Sequence, residues 1–189
     1  MFENIIKNVH NRHPLIHCIT NYVSINDCAN IVLACGGAPI MAEDINEVSQ
    51  ITSICQGLDI NIGMLNDNKL SSMLKAGATA NELGIPVILD PVGAGSSDYR
   101  IKAVQNLMSN VQFGVIRGNV SEIKAIAAKQ GIHNIAAGVY ETMQKNKSAM
   151  GVEAGIADKI TDDNIKEMAD FINKLSQKTG AVIAVTGGI

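Results

Sequence analysis

The sequence predicts an α/β fold, in which helices cover both faces of a mostly parallel β-sheet. Short apolar runs alternate with amphipathic segments, and the runs are apolar on both strand faces, which is typical of a buried parallel sheet. Apolar residues make up 47% of the 189 residues and charged residues only 17%, which favours a sizeable core and argues against disorder or a coiled coil. We expect residues 1–189 to form one domain, or most of one.

Six apolar runs are predicted to be the strands of this sheet. In chain order they are LIHCI 15–19, APIM 38–41, LDINI 58–62, PVILD 86–90, FGVIR 113–117 and AVIAVT 181–186. Each run is short and mostly apolar, which suits a strand that is buried on both faces.

Amphipathic helices are predicted between the strands from apolar stripes at helical spacing. The three stripes are Ile25, Cys28, Ala29, Val32 and Cys35; Leu70, Met73, Leu74 and Ala78; and Ile165, Met168, Ala169, Ile172 and Leu175. Ser24 and Asp27 have the spacing of a capping box before the first stripe, and Gly84 and Gly180 are predicted to end the second and third. Residues 131–160 break the alternation, and we interpret them as a long excursion with one short helix near 137–147.

Composition and charge exclude several functions. The net charge is −3 without a long basic run and aromatic residues are only 3% of the chain, so no nucleic-acid surface is expected. No apolar stretch is long enough to span a bilayer and residues 1–13 lack a signal-peptide pattern, so we expect no membrane association and a cytoplasmic location. Cys18, Cys28, Cys35 and Cys55 form no Cys-x-x-Cys pair and are interpreted as small core residues.

The residues that follow the predicted strands indicate a ligand site, because ligands bind at the carboxyl edge of parallel α/β sheets. They are Thr20 and Asn21, Met41 and Ala42, Gly63, residues 90–95, residues 117–119, and residues 186–188. Glycines let backbone N–H groups approach an anion, and Arg117 would supply paired donors for phosphate. Asp90 and Glu122 could hold a magnesium ion, directly or through water. Together these residues predict an enzyme with an anion site.

Each of these residues, taken alone, also has a purely structural interpretation. The GAGSSD segment at 93–98 could be a plain strand-to-helix turn, and Arg117 could be a surface ion-pair residue. Glu122 could be a first-turn acid favoured by the helix dipole, and Met41 a core residue. His17 alternates with apolar neighbours and is interpreted as a buried, hydrogen-bonded histidine. No Walker loop occurs in the sequence.

Five segments of the sequence resemble the hydroxyethylthiazole kinase family. They are PLIHCITNYVSINDCANIVLACGGAPIMAED at 14–44, INIGMLN at 60–66, GIPVILDPVGAG at 84–95, IRGNVSEI at 116–123 and VIAVTG at 182–187. The resemblance implies a ribokinase-like α/β/α fold and phosphorylation of 4-methyl-5-(2-hydroxyethyl)thiazole by ATP with Mg²⁺, in the salvage of the thiazole half of thiamine. It also implies a homotrimer with active sites at the subunit interfaces.

The resemblance further implies roles for individual residues. It places Asn21, Val23, Met41 and Gly93 at the substrate, Arg117, Asn119 and Thr186 at ATP, and Asp90 and Glu122 at the metal ion. Glu122 would act through metal-bound water. Phosphoryl transfer requires positioning and charge neutralisation more than covalent chemistry, and these residue types suit that task.

One part of the family pattern is not found among residues 1–189. The Gly-Thr-Gly-Cys or Gly-Ala-Gly-Cys segment supplies the family's anion hole and the residue that handles the substrate hydroxyl, so no catalytic residue is assigned here. We therefore expect a kinase without its C-terminal segment, with little activity and poor solubility as given. Two alternatives remain open: a protein that only binds thiazole or nucleotide, and a kinase of the same fold for another small alcohol. The ITNYV and APIMA segments favour thiazole.

Overall fold

The computed structural model describes residues 2–132, 160–161 and 164–187. Its helices are α1 (Phe2–Arg12), α2 (Ile25–Ala34), α3 (Val48–Ser53), α4 (Asp67–Glu82), α5 (Asp98–Asn110), α6 (Val120–Lys129) and α7 (Ile165–Thr179). Its strands are β1 (Leu15–Ile19), β2 (Ala38–Ile40), β3 (Gly57–Asn61), β4 (Val87–Asp90), β5 (Val115–Asn119) and β6 (Val182–Thr186). The predicted helix near 137–147 lies outside the described residues.

The six strands form a sheet in the order β2-β1-β3-β4-β5-β6. Strand β1 pairs in parallel with β2 and with β3, and β5 pairs in parallel with β6. The predicted α/β class is therefore confirmed. The prediction of 15–19 as a strand is confirmed to the residue, whereas 113–117 is shifted by two residues. The polar end of β5 continues the ladder with β6, so that Asn119 lies opposite Thr186 and Arg117 lies within the strand.

The backbone forms two compact units. Unit 1 consists of residues 1–89 and 107–112, and unit 2 consists of residues 90–106 and 113–189. The core of unit 1 is aliphatic, and its fully buried side chains include Ile19, Leu58, Ile60, Met73 and Leu89. In unit 2 the buried core includes Ile116, Ile123, Ile126, Phe171 and Leu175. Ile, Val, Leu, Ala and Met thus form most of the core, as the low aromatic content predicts.

Helix α2 differs from its prediction in what it buries. The helix forms as expected, but none of its residues is buried. Cys28 is half-buried and Cys35 is exposed, so their interpretation as core residues is wrong, whereas it is confirmed for Cys18 and Cys55. Periodicity identifies an apolar helix face but does not say what covers that face.

The predicted capping box at the start of α2 is not formed. Ser24 occupies the N-cap position without a side-chain cap hydrogen bond. Its backbone N–H instead donates to Asn21 Oδ1 over 3.0 Å, and its hydroxyl lies 3.8 Å from Cys28 Sγ. The turn before α2 is therefore stabilised by the side chain of Asn21.

The buried face of α4 is rotated from the predicted stripe. Met73 is buried as expected, but Ala78 is exposed, and Lys69 and Ala76 lie on the buried face. Asn66 caps the helix by accepting from Lys69 N over 2.8 Å. A lysine on the buried face is unusual, because a buried ammonium group requires polar partners.

Helix α7 follows its prediction more closely. Met168 and Leu175 are buried together with Phe171, while Ile165 and Ala169 at the predicted stripe's start are exposed. The helix ends at Gly180, whose φ of +71° is a left-handed conformation that glycine adopts without strain. Within residues 2–132, 160–161 and 164–187, no helix is both long and apolar enough to cross a membrane.

Candidate functional site

The carboxyl ends of β1 and β3 meet where the strand order reverses. The chain runs from β1 to β2 on one side and then to β3 on the other, and in open α/β sheets the crevice at such a reversal is the usual ligand site. At this place Asn21 Nδ2 donates to Asn61 Oδ1 over 3.2 Å, and Gly63 N donates to the same oxygen over 2.8 Å. Asn21, a predicted substrate residue, is thus held at the sheet edge.

Gly63 is needed for this pair of amides to form. A Cβ atom at position 63 would lie 2.9 Å from Asn61 Oδ1 and 3.0 Å from Asn21 Nδ2. These distances are too short for a side chain, so a larger residue would displace one of the two amides. The glycine therefore explains how two asparagine side chains share the end of these strands.

A buried lysine that the sequence analysis missed lies beside these strand ends. Lys69, only 5% exposed, forms an ion pair with Glu43 over 2.7 Å from Nζ to Oε2. Its ammonium group also donates to the backbone carbonyl of Thr20 and lies 4.8 Å from the centroid of the Tyr22 ring. The Tyr22 hydroxyl donates to Glu43 in turn. We call Thr20, Tyr22, Glu43 and Lys69 the lysine cluster.

Contacts within the lysine cluster shift the pKa values of two of its members, Glu43 and Tyr22. Partial burial acts to raise the pKa of Glu43, but hydrogen bonds from Lys69 and Tyr22 outweigh it, so the pKa of this carboxyl lies below its usual value. The hydrogen bond to Glu43 raises the pKa of the Tyr22 hydroxyl. Both shifts favour a charged Glu43 and a neutral tyrosine at neutral pH. The cluster therefore contains one buried positive charge and one negative charge.

A cleft of about 650 Å³ adjoins the lysine cluster. It lies in unit 1 and is lined by the loop at 43–45 and by the first turn of α4. Glu43, Asp44 and Asp67 contribute three carboxylates to it, against the single ammonium group of Lys69. None of the predicted ATP or metal residues lines this cleft.

The other predicted residues of unit 1 differ in exposure. Val23 is 89% exposed and Met41 is half-buried. His17 is fully buried, donates from Nε2 to Ala42 O over 2.8 Å and has Nδ1 2.9 Å from Thr52 Oγ1. The interpretation of His17 as a buried, hydrogen-bonded histidine is confirmed, and burial lowers its pKa.

In unit 2, an arginine and an aspartate from neighbouring predicted strand ends form an ion pair. Arg117 Nη1 lies 3.1 Å from Asp90 Oδ2, and the side chains are 51% and 17% exposed. The strand-end prediction that these two residues converge is confirmed by this contact. Because Arg117 is half in solvent, its guanidinium group is accessible to an anion as well as to Asp90.

Glu122 is 7% exposed and holds two backbone segments together. Its Oε1 accepts from Gly93 N and its Oε2 from Asn119 N, each over 2.8 Å. Asn119 Oδ1 accepts from Glu122 N over 2.9 Å, which completes a capping box at the start of α6. Glu122 therefore acts as a first-turn helix acid, as the structural interpretation predicts. Its carboxylate also fixes the glycine-rich loop after β4.

This loop is shaped by a glycine and by a second arginine that the sequence analysis missed. Gly93 has a φ of +68°, which glycine adopts readily and other residues rarely do. Ser96 Oγ donates to Gly93 O over 2.7 Å, and Arg100 Nη1 donates to Val92 O over 2.8 Å. The only sequence signal for Arg100 is its place in the first turn of the helix that follows the loop.

Most of the predicted phosphate and metal residues thus come together within unit 2. Arg117 contacts Asp90, Glu122 contacts Asn119 and Gly93, and Thr186 is the register partner of Asn119. Among the residues that the structure describes, no three His, Cys, Asp or Glu side chains are grouped closely enough to hold a metal ion by themselves. An ion here would need water or a ligand's oxygens to complete its coordination.

Comparison with known proteins gives one consistent family. The family model described as "Hydroxyethylthiazole kinase family" matches residues 6–189. Hydroxyethylthiazole kinase from Clostridium acetobutylicum is 52% identical over 189 residues, which are all of this chain and 63% of that relative. The enzyme of the same name from Desulfovibrio desulfuricans is 44% identical, again over the whole chain and 61% of the relative.

A solved structure supports the same conclusion. The structure of hydroxyethylthiazole kinase from Pyrococcus horikoshii OT3 superposes with a TM-score of 0.74 at 31% identity, and the match covers 97% of this chain and 59% of that one. The chain therefore spans about three fifths of the length of the relatives that it matches. The resemblance found in the sequence segments, and the fold that it implies, are confirmed.

Proposed function

Because the chain belongs to the hydroxyethylthiazole kinase family, we propose that the protein it represents phosphorylates the primary alcohol of 4-methyl-5-(2-hydroxyethyl)thiazole with ATP. The observation that carries the proposal is the family match over residues 6–189. In metabolism the reaction would recover the thiazole half of thiamine, and we expect it to take place in the cytoplasm.

The ATP phosphates are proposed to bind in unit 2, at Arg117, Asn119 and Thr186. The half-exposed guanidinium group of Arg117 supports this role, because it can form paired hydrogen bonds with phosphate oxygens. The ladder between β5 and β6 aligns Thr186 with Asn119, so both residues reach the same carboxyl edge. Positive charge and hydrogen-bond donors at this edge would neutralise and orient the transferred phosphoryl group.

Magnesium is proposed to bind beside the phosphates, with Asp90 as a direct ligand and Glu122 acting through water. The carboxylate of Asp90 is 17% exposed and offers the hard oxygen ligands that this ion prefers. Both oxygens of Glu122 already accept backbone N–H groups, but each carboxylate oxygen has a second lone pair that can accept from a water molecule. The bound ion would withdraw negative charge from the phosphate oxygens.

In unit 1, Asn21, Val23 and Met41 are proposed to bind the thiazole alcohol, while Gly93, in unit 2, stays a predicted substrate residue. The amide pair of Asn21 and Asn61 supports this, because it fixes a polar group at the reversal of the strand order. Val23 is 89% exposed in the single chain, which suits a pocket completed by another subunit. We therefore propose a homotrimer whose substrate pockets lie at the subunit interfaces.

A phosphoryl-transfer assay with two forms of the protein tests the proposal. The 189-residue chain and the same chain continued by the C-terminal segment of the Clostridium acetobutylicum relative would be incubated with Mg²⁺, labelled ATP and the thiazole alcohol. A pyrimidine alcohol of similar size serves as the competing substrate. We expect the continued chain to label the thiazole alcohol and not the pyrimidine alcohol.

The other outcomes separate the alternatives. Thiazole binding by calorimetry without transfer in either form would indicate a binding protein. Equal labelling of both alcohols would indicate a less specific kinase. Absence of both binding and transfer in the continued chain would refute the proposed function.

A further inference from the structure

We propose that Lys69 is a positioning residue that sets the geometry of the substrate pocket in unit 1, by fastening the loops after β1 and β2 to the first turn of α4. This inference rests on the proposed function for the identity of the ligand. It concerns a residue that the proposed chemistry does not use, and it depends only on contacts within unit 1.

The first step is that the ammonium group of Lys69 contacts both loops at once. It donates to Thr20 O at the end of β1 and pairs with Glu43 in the loop after β2, over 2.7 Å to Oε2. The centroid of the Tyr22 ring lies 4.8 Å from the same nitrogen. All three of these partners lie on segments other than the helix that carries Lys69.

The second step is that both loops contain the proposed substrate residues. Tyr22 lies between Asn21 and Val23 in the chain, and Glu43 follows Met41 by two positions. A displacement of Tyr22 or Glu43 would therefore move the backbone of the pocket residues beside it. Small displacements matter in binding sites, because a misplacement of about 1 Å can cost on the order of a hundredfold in rate.

The third step is that this role requires a charge. Tyr22 and Lys69 both hydrogen bond to the same carboxylate, so the pair of loops is connected through Glu43. A neutral side chain of the same length would fill the space beside α4 but would leave Glu43 and Thr20 O without the ammonium group. Removal of the ammonium group therefore removes the contacts to Glu43 and to Thr20 O together.

The test compares Lys69→Met with Lys102→Met, which removes an exposed lysine of α5. Hydrogen exchange measured by mass spectrometry would follow the segments 19–24 and 41–45, with β3 at 57–61 as the internal reference. Calorimetry would measure the dissociation constants of the thiazole alcohol and of ATP for the same preparations. The double variant Glu43→Gln/Lys69→Met shows whether both residues act through the same contact.

We expect Lys69→Met to speed exchange in the two loops and to weaken thiazole binding by roughly 10- to 100-fold, because the loops would then hold the binding-competent arrangement only about 1–10% of the time. Exchange in β3 and the affinity for ATP should change by less than about twofold, and Lys102→Met should change neither loop. The double variant should bind thiazole about as weakly as Lys69→Met, because the shared contact is already lost.

Two results would overturn the inference. Unchanged exchange in both loops would show that Lys69 does not fix them, and an equal increase in the loops and in β3 would show a general stabilising role. If the unaltered protein does not bind the thiazole alcohol, the proposed function fails and with it the ligand assigned here. The exchange result still decides separately whether Lys69 fixes the two loops.

Discussion

Replacing Glu122 by Gln should destabilise unit 2 even without a metal ion. The carboxylate accepts from Gly93 N through Oε1 and from Asn119 N through Oε2, each over 2.8 Å, and is 7% exposed. Glutamine has the same shape but a single oxygen, so its amide nitrogen would face one of the two backbone donors. Loss of one charge-assisted hydrogen bond should lower the free energy of unfolding by about 1.5–3 kcal/mol.

Urea unfolding at pH 7 in the absence of Mg²⁺ measures this effect. The midpoint and slope followed by circular dichroism give the free energy of unfolding for the unaltered chain and for Glu122→Gln. Glu167→Gln is the matched control, because Glu167 is an exposed acid in the first turn of α7. Its replacement should cost no more than about 1 kcal/mol, the usual limit for a surface charge at a helix N-terminus.

An unchanged or higher stability of Glu122→Gln would refute this reasoning. A carboxylate that served only as a metal ligand would not stabilise the metal-free chain. A loss equal to that of Glu167→Gln would mean that only the helix dipole is involved. A larger loss, restored by neither Mg²⁺ nor ATP, would confirm that Glu122 fixes the glycine-rich loop after β4.

Three further predictions follow from single contacts. Arg117→Ala should raise the KM for ATP of the continued chain by roughly 10- to 100-fold in steady-state kinetics and leave the KM for the thiazole alcohol nearly unchanged. An equal rise in both KM values would indicate a structural role. Burial lowers the pKa of His17, so below about pH 6.5 the unfolded chain binds a proton that the folded chain does not. The free energy of unfolding should therefore decrease as the pH is lowered from 7 to 5, by up to about 1.4 kcal/mol per pH unit. This extra slope should be absent in His17→Gln and retained in His10→Gln. Gly77→Ala places a Cβ 2.5 Å from Val111 Cγ2 and should cost about 1–3 kcal/mol in thermal or urea unfolding, but much less in a Val111→Ala background.

The strands were predictable because their apolar runs are short and sharply bounded. Residues 15–19 form β1 as predicted, and the strand is paired along both of its edges, with β2 and with β3. Strand β5 is predicted two residues early, because the apolar run ends at Arg117 and hydrophobicity alone does not extend a strand through Gly118 and Asn119. Their pairing with β6, which a single sequence does not show, extends the strand.

The candidate site was predictable in its members but not in its contacts. The strand-end rule identified Asn21, Asp90 and Arg117, because parallel strands deliver their carboxyl ends to the same edge. Asn119 and Glu122 have capping-box spacing and form the box, whereas Ser24 and Asp27 have the same spacing and form none. Spacing permits a cap, and the tertiary partner decides whether it forms.

Lys69 was missed because lysine is read as a surface residue. It stands four positions before Met73 and seven before Ala76, so it occupies the buried face of α4. A charged residue at helical spacing from an apolar stripe can be recognised as a candidate buried charge from the sequence alone. Its partners Thr20 and Glu43 are distant in sequence, and only the fold brings them to it.

The edge strand β2 affects whether copies of this chain can associate by adding strands to the sheet. Ala38 N donates to Pro14 O over 2.8 Å, so the N–H groups at 38 and 40 face β1 and position 39 faces away from the sheet. Position 39 is a proline, which has no N–H to offer. The single outward-facing residue of this three-residue strand thus lacks the donor that another chain would need to extend the ladder. Strand addition between copies is therefore disfavoured at this edge, and Pro39→Val would restore the missing donor.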